Sequence, residues 1–428
     1  MIQRAATILF LLSIFSLSAQ VVDVKVMTYN LMYYKAQSAP CTHSVPSATR
    51  DAAFQTVFKA ATPDILVVQE LGAYADNSAA WYTLQNVINT QGEQNFISGS
   101  YSNNSFSNLT NQIFFDSTVV GLASQEKVEF EMGGQALVRV IDIYRMYLKD
   151  AGLSQGADTV FFTIVGLHLK AGNSTGDASD RQAATLALMN HLSNKVADDN
   201  IMILGDFNIY RSSEAAFQNL VNYSDTRVRV QDPVNQVGSW NNNGSFALVH
   251  TQSTHSSSSG CFSGGGSDDR FDMILHTSAL HNGTANVKYK PGSYTILGQD
   301  GLHFNQSINS GTNNAVSSTV ANALYDFSDH LPVFATYEVE PKGIGLEEPG
   351  LEAMAIANPF NQSLQLSRQA AKGELEYQVL NLAGQIICQG TMAANAEFTT
   401  INTQGWAHGI YLLKVTNAQN QVLTRKLV

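Results

Sequence analysis

The run Ile201-Met-Ile-Leu204 is four apolar residues long and is stopped by Gly205, after which Asp206-Phe-Asn208 returns polar groups. A run that short fits a buried strand, since helices extend over roughly ten residues or more. Gly205 breaks it, so Asp206 and Asn208 are expected at the strand's end. A carboxylate in that place can orient or deprotonate water, and a neutral amide can donate hydrogen bonds to a developing oxyanion. An ordinary Asx-containing turn has the same local sequence. The stretch gains meaning only from others built like it.

Several are. Residues 24–29 alternate as a strand and end at Asn30, and a helical stretch from about Ala48 to Ala61 stops before Pro63. Ile65 to Val68 leads to Glu70, residues 80–90 read as helix, and 98–110 as a polar loop. Residues 113–115, 119–122 and 138–148 read as strands, and Val160 to Leu169 delivers His168. Residues 179–196 carry Ala183, Leu186, Leu188, Leu192 and Val196 at helical spacing, with Asp177 or Ser179 placed to cap. Residues 235–269 read as loop, and the Ser/Gly tract from Ser256 to Gly266 is expected to be mobile and solvent-exposed. Arg270 to His276 regains strand character around Asp272, and a long polar segment then leads to Ser328-Asp329-His330 before a final strand. Separate strands thus end in carboxylates, amides and imidazoles. Hard oxygens suit Mg²⁺ or Ca²⁺, and imidazoles can stabilise or protonate phosphate oxygens.

Length and charge narrow the class. A chain of 428 residues accommodates one large domain plus a smaller one, and a net charge of -11 argues against broad electrostatic capture of nucleic acid or anionic membrane. It leaves open a polyanionic substrate whose phosphate is met by a bound cation. Residues 1–20 read as a signal peptide, with Arg4 ahead of an apolar run and small residues at Ser18 and Ala19. No other segment is long and apolar enough to span a bilayer, so an exported protein without stable membrane insertion is expected. Cys41, Cys261 and Cys388 fit no zinc pattern, and Cys41 with Cys261 is the pair expected to share a domain. Asp268 and Asp269, beside glycines, offer a place for a structural Ca²⁺.

Taken together, Met27-Thr-Tyr-Asn30, Pro63-Asp-Ile-Leu-Val-Val-Gln-Glu70, Gly166-Leu-His168, Gly205-Asp206-Phe-Asn208, Arg270-Phe-Asp272 and Ser328-Asp329-His330-Leu-Pro resemble the endonuclease/exonuclease/phosphatase superfamily, in that family's order. The resemblance implies an α/β (α+β) fold, a two-sheet β-sandwich flanked by helices in four layers, over residues 21–340. It implies Glu70 as principal metal ligand, Asn30 beside it and Asp329 at a second metal position, with Mg²⁺ as the cofactor and Mn²⁺ or Ca²⁺ possible. Asp206 would be base or water-orienting group, and Asn208 would hold the nucleophile or phosphate. His330, oriented by Asp272, would contact a phosphate oxygen, and His168 would stabilise the transition state or leaving oxygen. Lys170 and Arg181 would contact substrate phosphate. Met32 stands where abasic-site endonucleases carry an acid, and Thr110-Asn-Gln offers amides where pancreatic-type enzymes orient the histidine with a carboxylate. His-Leu-Lys-Ala-Gly at 168–172 looks like exported bacterial nucleases, which favours in-line hydrolysis of nucleic acid by a monomer. A sphingomyelinase-like or other phosphoester hydrolase is the alternative, and a catalytically inactive secreted binding module a second.

Residues 341–350 form a Pro/Gly-rich linker, and residues 351–428 alternate in short strands, as a small C-terminal all-β sandwich would. Asn358-Pro-Phe, Tyr377-Gln-Val-Leu-Asn-Leu-Ala-Gly, Gly409-Ile-Tyr-Leu-Leu-Lys-Val and Thr424-Arg-Lys-Leu-Val428 resemble the sorting domain of type IX secretion substrates. That resemblance implies the type IX secretion machinery as partner. The destination is the medium or the outer cell surface, by way of the periplasm.

Overall fold

The computed structural model describes residues 21–91, 95–103, 107–155, 158–195, 199–342, 354–356, 360, 362–368, 373–418 and 422–427. The expected signal peptide and most of the linker lie outside these residues. Two units separate between Ile344 and Gly345.

The first unit contains strands β1 (Val22–Tyr34), β2 (Ile65–Gly72), β3 (Phe96–Ser98), β4 (Leu109–Asp116), β5 (Val120–Phe130), β6 (Ala136–Leu148), β7 (Phe161–His168), β8 (Ile201–Asp206), β9 (Val230–Gln231), β10 (Asp272–Thr277), β11 (Val287–Tyr289), β12 (Thr295–Ile296) and β13 (Val333–Val339). Its helices are α1 (Ser47–Ala61), α2 (Ser78–Thr83), α3 (Thr175–Lys195), α4 (Ala215–Val221), α5 (Ser278–Asn282) and α6 (Ser318–Phe327). One sheet runs β11-β13-β1-β2-β4-β3 with β12 paired to β13, and the other β5-β6-β7-β8-β10-β9.

The alternation of β8 shows how the layers form. Met202 and Leu204 join the core between the sheets, while Ile201 and Ile203 join the core under α3 and α4. Both faces of the strand are therefore apolar, as a sheet covered on both sides requires. Phe54 and Phe58 of α1 and Leu324 and Phe327 of α6 cover the other sheet. The result is the expected sandwich of two sheets between helices.

Several local expectations differ. β5 runs on to Phe130, and α2 continues as a π turn and a 3-10 turn to Gln91. On α3, Ala184, Leu188, Met189 and Leu192 face inward around a buried Arg181, whereas Leu186 is exposed. Helix α6 lies in a stretch read as polar segment; Ala321, Ala323, Leu324 and Phe327 are buried, and Val320 and Tyr325 pack against the same core. The Ser256–Gly266 tract, expected to be exposed, carries buried Cys261 and Phe262, and Cys41 is bridged to Cys261. Burial there comes from partners more than two hundred positions away, which local composition does not register.

In the second unit, β14 (Met354–Ile356), β15 (Ser363–Arg368), β16 (Leu375–Asn381), β17 (Ile386–Met392), β18 (Phe398–Asn402), β19 (Tyr411–Asn417) and β20 (Val422–Leu427) form sheets ordered β14-β15-β18 and β17-β16-β19-β20. Leu364, Leu366, Leu375, Val379, Leu413 and Val415 share one core. This is the small all-β sandwich expected of the tail.

One buried acid sets a pH dependence on the first unit. Asp142 of β6 is fully buried; Asn111 of β4 donates to its Oδ2 from 3.3 Å, and its Oδ1 has no partner. Burial pushes its pKa up to about 7. An acid with a raised folded pKa stabilises the fold fully below its unfolded value near 3.8, and that contribution is lost as pH rises to about 7. Asp142→Asn should abolish that slope and raise stability at pH 8 by a few kcal/mol. Denaturant titrations of both proteins from pH 4 to 8 check this, and parallel pH profiles would count against it.

Candidate active site

Strand parity brings the polar ends together. Leu204 faces the other sheet, so Asp206, two residues on, does too. Register aligns Asp206 with His168 of β7 on one side and with Asp272 of β10 on the other. Gly205 permits the close approach of β7: its φ is 141°, and an added Cβ would lie 1.9 Å from the Leu167 carbonyl oxygen. From the facing sheet β1 supplies Asn30, and β2 supplies Glu70 at an irregularity between Val68 and Leu71, where Glu70 takes a φ of 58°. A bulge of this kind re-aims one side chain at a sheet rim. His330 arrives just before β13, where its N–H donates to Ser328 Oγ, and that hydroxyl donates to Asn30 O.

These side chains meet at one rim. Asn30 Nδ2 donates to Glu70 Oε1 at 3.2 Å and to Asp206 Oδ2 at 3.0 Å. His168 Nε2 lies 3.4 Å from Asp206 Oδ2 and 3.7 Å from Glu70 Oε1. His330 Nε2 lies 3.9 Å from Asp206 Oδ2, while its Nδ1 is 2.7 Å from Asp272 Oδ2. The Asn208 N–H donates to Asp206 Oδ1 at 3.0 Å, and one N–H of its amide donates to Leu169 O at 3.2 Å. Glu70 Oε2 accepts the N–H of Tyr33 at 3.2 Å.

Burial polarises this group. Desolvation raises the pKa of Glu70, and it raises Asp206 to about 7, with Asp272 and Glu70 adding to the rise against the opposing charge of His330. Desolvation also holds His168 well below the usual histidine range, reinforced by Arg139 and His330. His330 goes the other way: burial opposes its charge, but the Asp272 carboxylate, with Asp206 and Asp329, outweighs it and raises the pKa well above the ordinary value. The rim therefore pairs a neutral imidazole with a charged one, on either side of a carboxylate poised near neutrality.

Several expected roles meet a particular environment. Asn30 Oδ1 accepts the N–H of Met32, so its amide nitrogen, which is no metal ligand, faces the carboxylates. Asp329 is fully buried; its Oδ2 accepts from Ser263 N and Gln252 Nε2, and its Oδ1 has no partner. Arg181 is buried in an ion pair with Glu214 at 2.5 Å and donates to Lys170 O and Gly172 O; its guanidinium braces the loop after β7 instead of facing a substrate phosphate. Lys170 is paired with Asp177 at 2.6 Å. Asp269 Oδ1 accepts from Asn241 Nδ2 at 2.9 Å, and among the described residues no group of three or more His, Cys, Asp or Glu side chains is arranged to hold a metal, at this loop or at the rim.

Two residues at the rim carried no motif. Arg139 of β6 donates to Leu169 O at 2.7 Å and lines one recess with Glu70 and His168. It sits in an alternating strand, where nothing local separates it from a solvated arginine. Gln252 Nε2, which also donates to Asp329 Oδ2, lies 2.7 Å from His330 Nε2. It comes from the stretch read only as loop.

Comparison with known proteins adds the following. Residues 357–428 match the family model of the secretion system C-terminal sorting domain. No protein of curated description matches the sequence. Among solved structures, the chain is similar to the human Nocturnin catalytic domain with bound sulfate, at 14% identity and a TM-score of 0.46, covering 75% of this chain and 97% of that one. It is also similar to an endonuclease/exonuclease/phosphatase from Beutenbergia cavernae, at 16% identity and a TM-score of 0.42, covering 94% and 99%. A third is an endonuclease/exonuclease/phosphatase family protein from Bacteroides thetaiotaomicron, at 13% identity and a TM-score of 0.45, covering 75% and 97%. The chain thus has endonuclease/exonuclease/phosphatase proteins among its structural neighbours, and its tail matches the sorting domain that directs type IX secretion to the cell surface or extracellular space.

Proposed function

We propose that the first unit is a divalent-cation-dependent phosphodiesterase that hydrolyses extracellular nucleic acid by in-line attack of water. The observation that carries this reading is the Asn30 amide donating to Glu70 and Asp206 at once, with both imidazoles within 4 Å of Asp206. The donor set fits a hard cation. Burial drives both carboxylates toward protonation, and a divalent ion would favour their charged forms. Glu70, the more open of the two, would hold it. Water and substrate oxygens would complete the shell, as Mg²⁺ prefers; Mn²⁺ and Ca²⁺ are the substitutes. When bound, the ion supplies Lewis-acid polarisation of the phosphoryl group.

The chain's own groups do the rest. Asp206, in its charged form, takes the proton of the attacking water. Asn208 spends one amide hydrogen on Leu169 O and has the other for the phosphate. His330, charged and fixed by Asp272, donates to a non-bridging oxygen, where negative charge grows in the transition state. The bond from phosphorus to the leaving oxygen breaks as the water oxygen attacks, and His168 would stabilise the transition state or that leaving oxygen. No covalent bond to the enzyme forms.

DNA, RNA, sphingomyelin and a simple phosphodiester, each with and without Mg²⁺, Mn²⁺ and Ca²⁺, provide the test. Nucleic acid should be cut only with a divalent ion, and Asp206→Asn should lower kcat about 10³-fold at unchanged fold. Chelator-resistant cleavage, or an Asp206→Asn protein as fast as the parent, would overturn the mechanism. Preference for sphingomyelin would move the substrate to a lipid phosphodiester, and inertness on all four would leave a binding module.

The tail acts as an address for the secretion machinery. Deleting residues 351–428 should leave catalysis intact in extracts and strand the protein in the periplasm. Cell fractionation reads this directly; normal export of the shortened chain would remove the sorting role.

A further inference from the structure

Beside Arg139 a cleft of about 450 Å³ opens between the segment after β1, the segment before β4 and the start of β6, lined by Tyr33, Ser38, Pro40, Asn108, Leu109 and Arg139. Leu109 and Arg139 also line the recess that holds Glu70 and His168, so the cleft adjoins the candidate active site. Tyr33 ties the two together, since its N–H donates to Glu70 Oε2 at 3.2 Å. The outer wall is fixed in place. Asn108 Nδ2 donates to Ser38 Oγ at 2.8 Å, and the Cys41–Cys261 disulfide anchors the chain directly after Pro40.

From this we infer that the cleft is a subsite for one unpaired nucleoside next to the scissile phosphate, a reading that rests on the phosphodiesterase function proposed above. The chemistry of the wall matches that occupant. Tyr33 offers a flat aromatic face, and bases stack on such faces without sequence preference. Ser38 and Asn108 offer a hydroxyl and an amide to base edges, and Arg139 a planar donor to phosphate. Charge excludes the larger occupant: duplex capture depends on many cationic contacts to the backbone, whereas Arg139 is the cleft's one cation among the described lining residues, on a chain of net charge -11. The site takes a single unit of an unpaired strand.

Binding of a fluorescent trinucleotide and of a hairpin duplex to the full-length chain in chelator, where hydrolysis is off, tests the subsite apart from the reaction. The trinucleotide should bind the parent at least tenfold more tightly than the duplex. Ser38→Trp, which fills the cleft, and Tyr33→Leu, which removes the aromatic face, should each weaken trinucleotide binding about tenfold; Tyr33→Phe should restore it. Matching far-UV spectra and melting curves establish that each variant is folded. Equal binding by Ser38→Trp and parent, tighter binding of the duplex, or no binding of the trinucleotide would each overturn the subsite. Trinucleotide binding without hydrolysis in Mg²⁺ would sink the phosphodiesterase reading while leaving the subsite standing.

Discussion

One amide holds the two halves of the sandwich in register where the chemistry sits. Asn30 belongs to one sheet and Asp206 to the other, yet Asn30 Nδ2 donates to Asp206 and to its own sheet's Glu70. Two buried carboxylates facing the same point repel, and a donor shared between them is the least costly way to keep both there. The amide is itself fixed at its other end by the N–H of Met32, and the backbone carbonyl of Asn30 accepts from Ser328 Oγ. Ser328 in turn accepts the N–H of His330, so the imidazole is set by the same chain of bonds.

Around that amide the environment sorts like residues into unlike states. Two histidines at similar burial end in opposite charge states because one has the Asp272 carboxylate at 2.7 Å and the other faces only the shared carboxylates from beyond 3.3 Å, with Arg139 and His330 opposing its charge. Two carboxylates of the interior rise together, but for different ends. Asp206 is raised beside groups that can exchange protons with it, whereas Asp142 has one amide partner and no nearby base. A raised pKa is thus a functional signal only together with its neighbours.

The rim's outer walls depend on tethers of long reach. The Cys41–Cys261 bridge joins two loops 220 positions apart, and Phe262 beside it is buried against Met32 and the residues following β1. A Ser/Gly tract that looks like open chain by composition becomes packed structure through that bond. Arg181 is a second such case, since a helix-start arginine that looks free for phosphate is consumed by Glu214 and two carbonyls.

The sequence by itself determined that short apolar runs carry polar residues at or near their ends, because a sheet covered on both faces buries the apolar run and leaves polar groups to its rim. His168 and Asp206 close β7 and β8 as read, whereas Asn30 and Glu70 lie inside β1 and β2, Asp272 opens β10 and His330 precedes β13; the small β-sandwich of the tail was legible from its alternation. What only the tertiary structure decided is which atoms face one another. Asn30 presents its nitrogen because a backbone N–H claims its oxygen, Asp329 is held by Gln252 and Ser263, and Arg139 reaches the rim from near the start of a strand whose alternation does not single it out. Those outcomes follow from hydrogen-bond partners brought close by the stacking of two sheets, and no local window of sequence contains both members of such a pair.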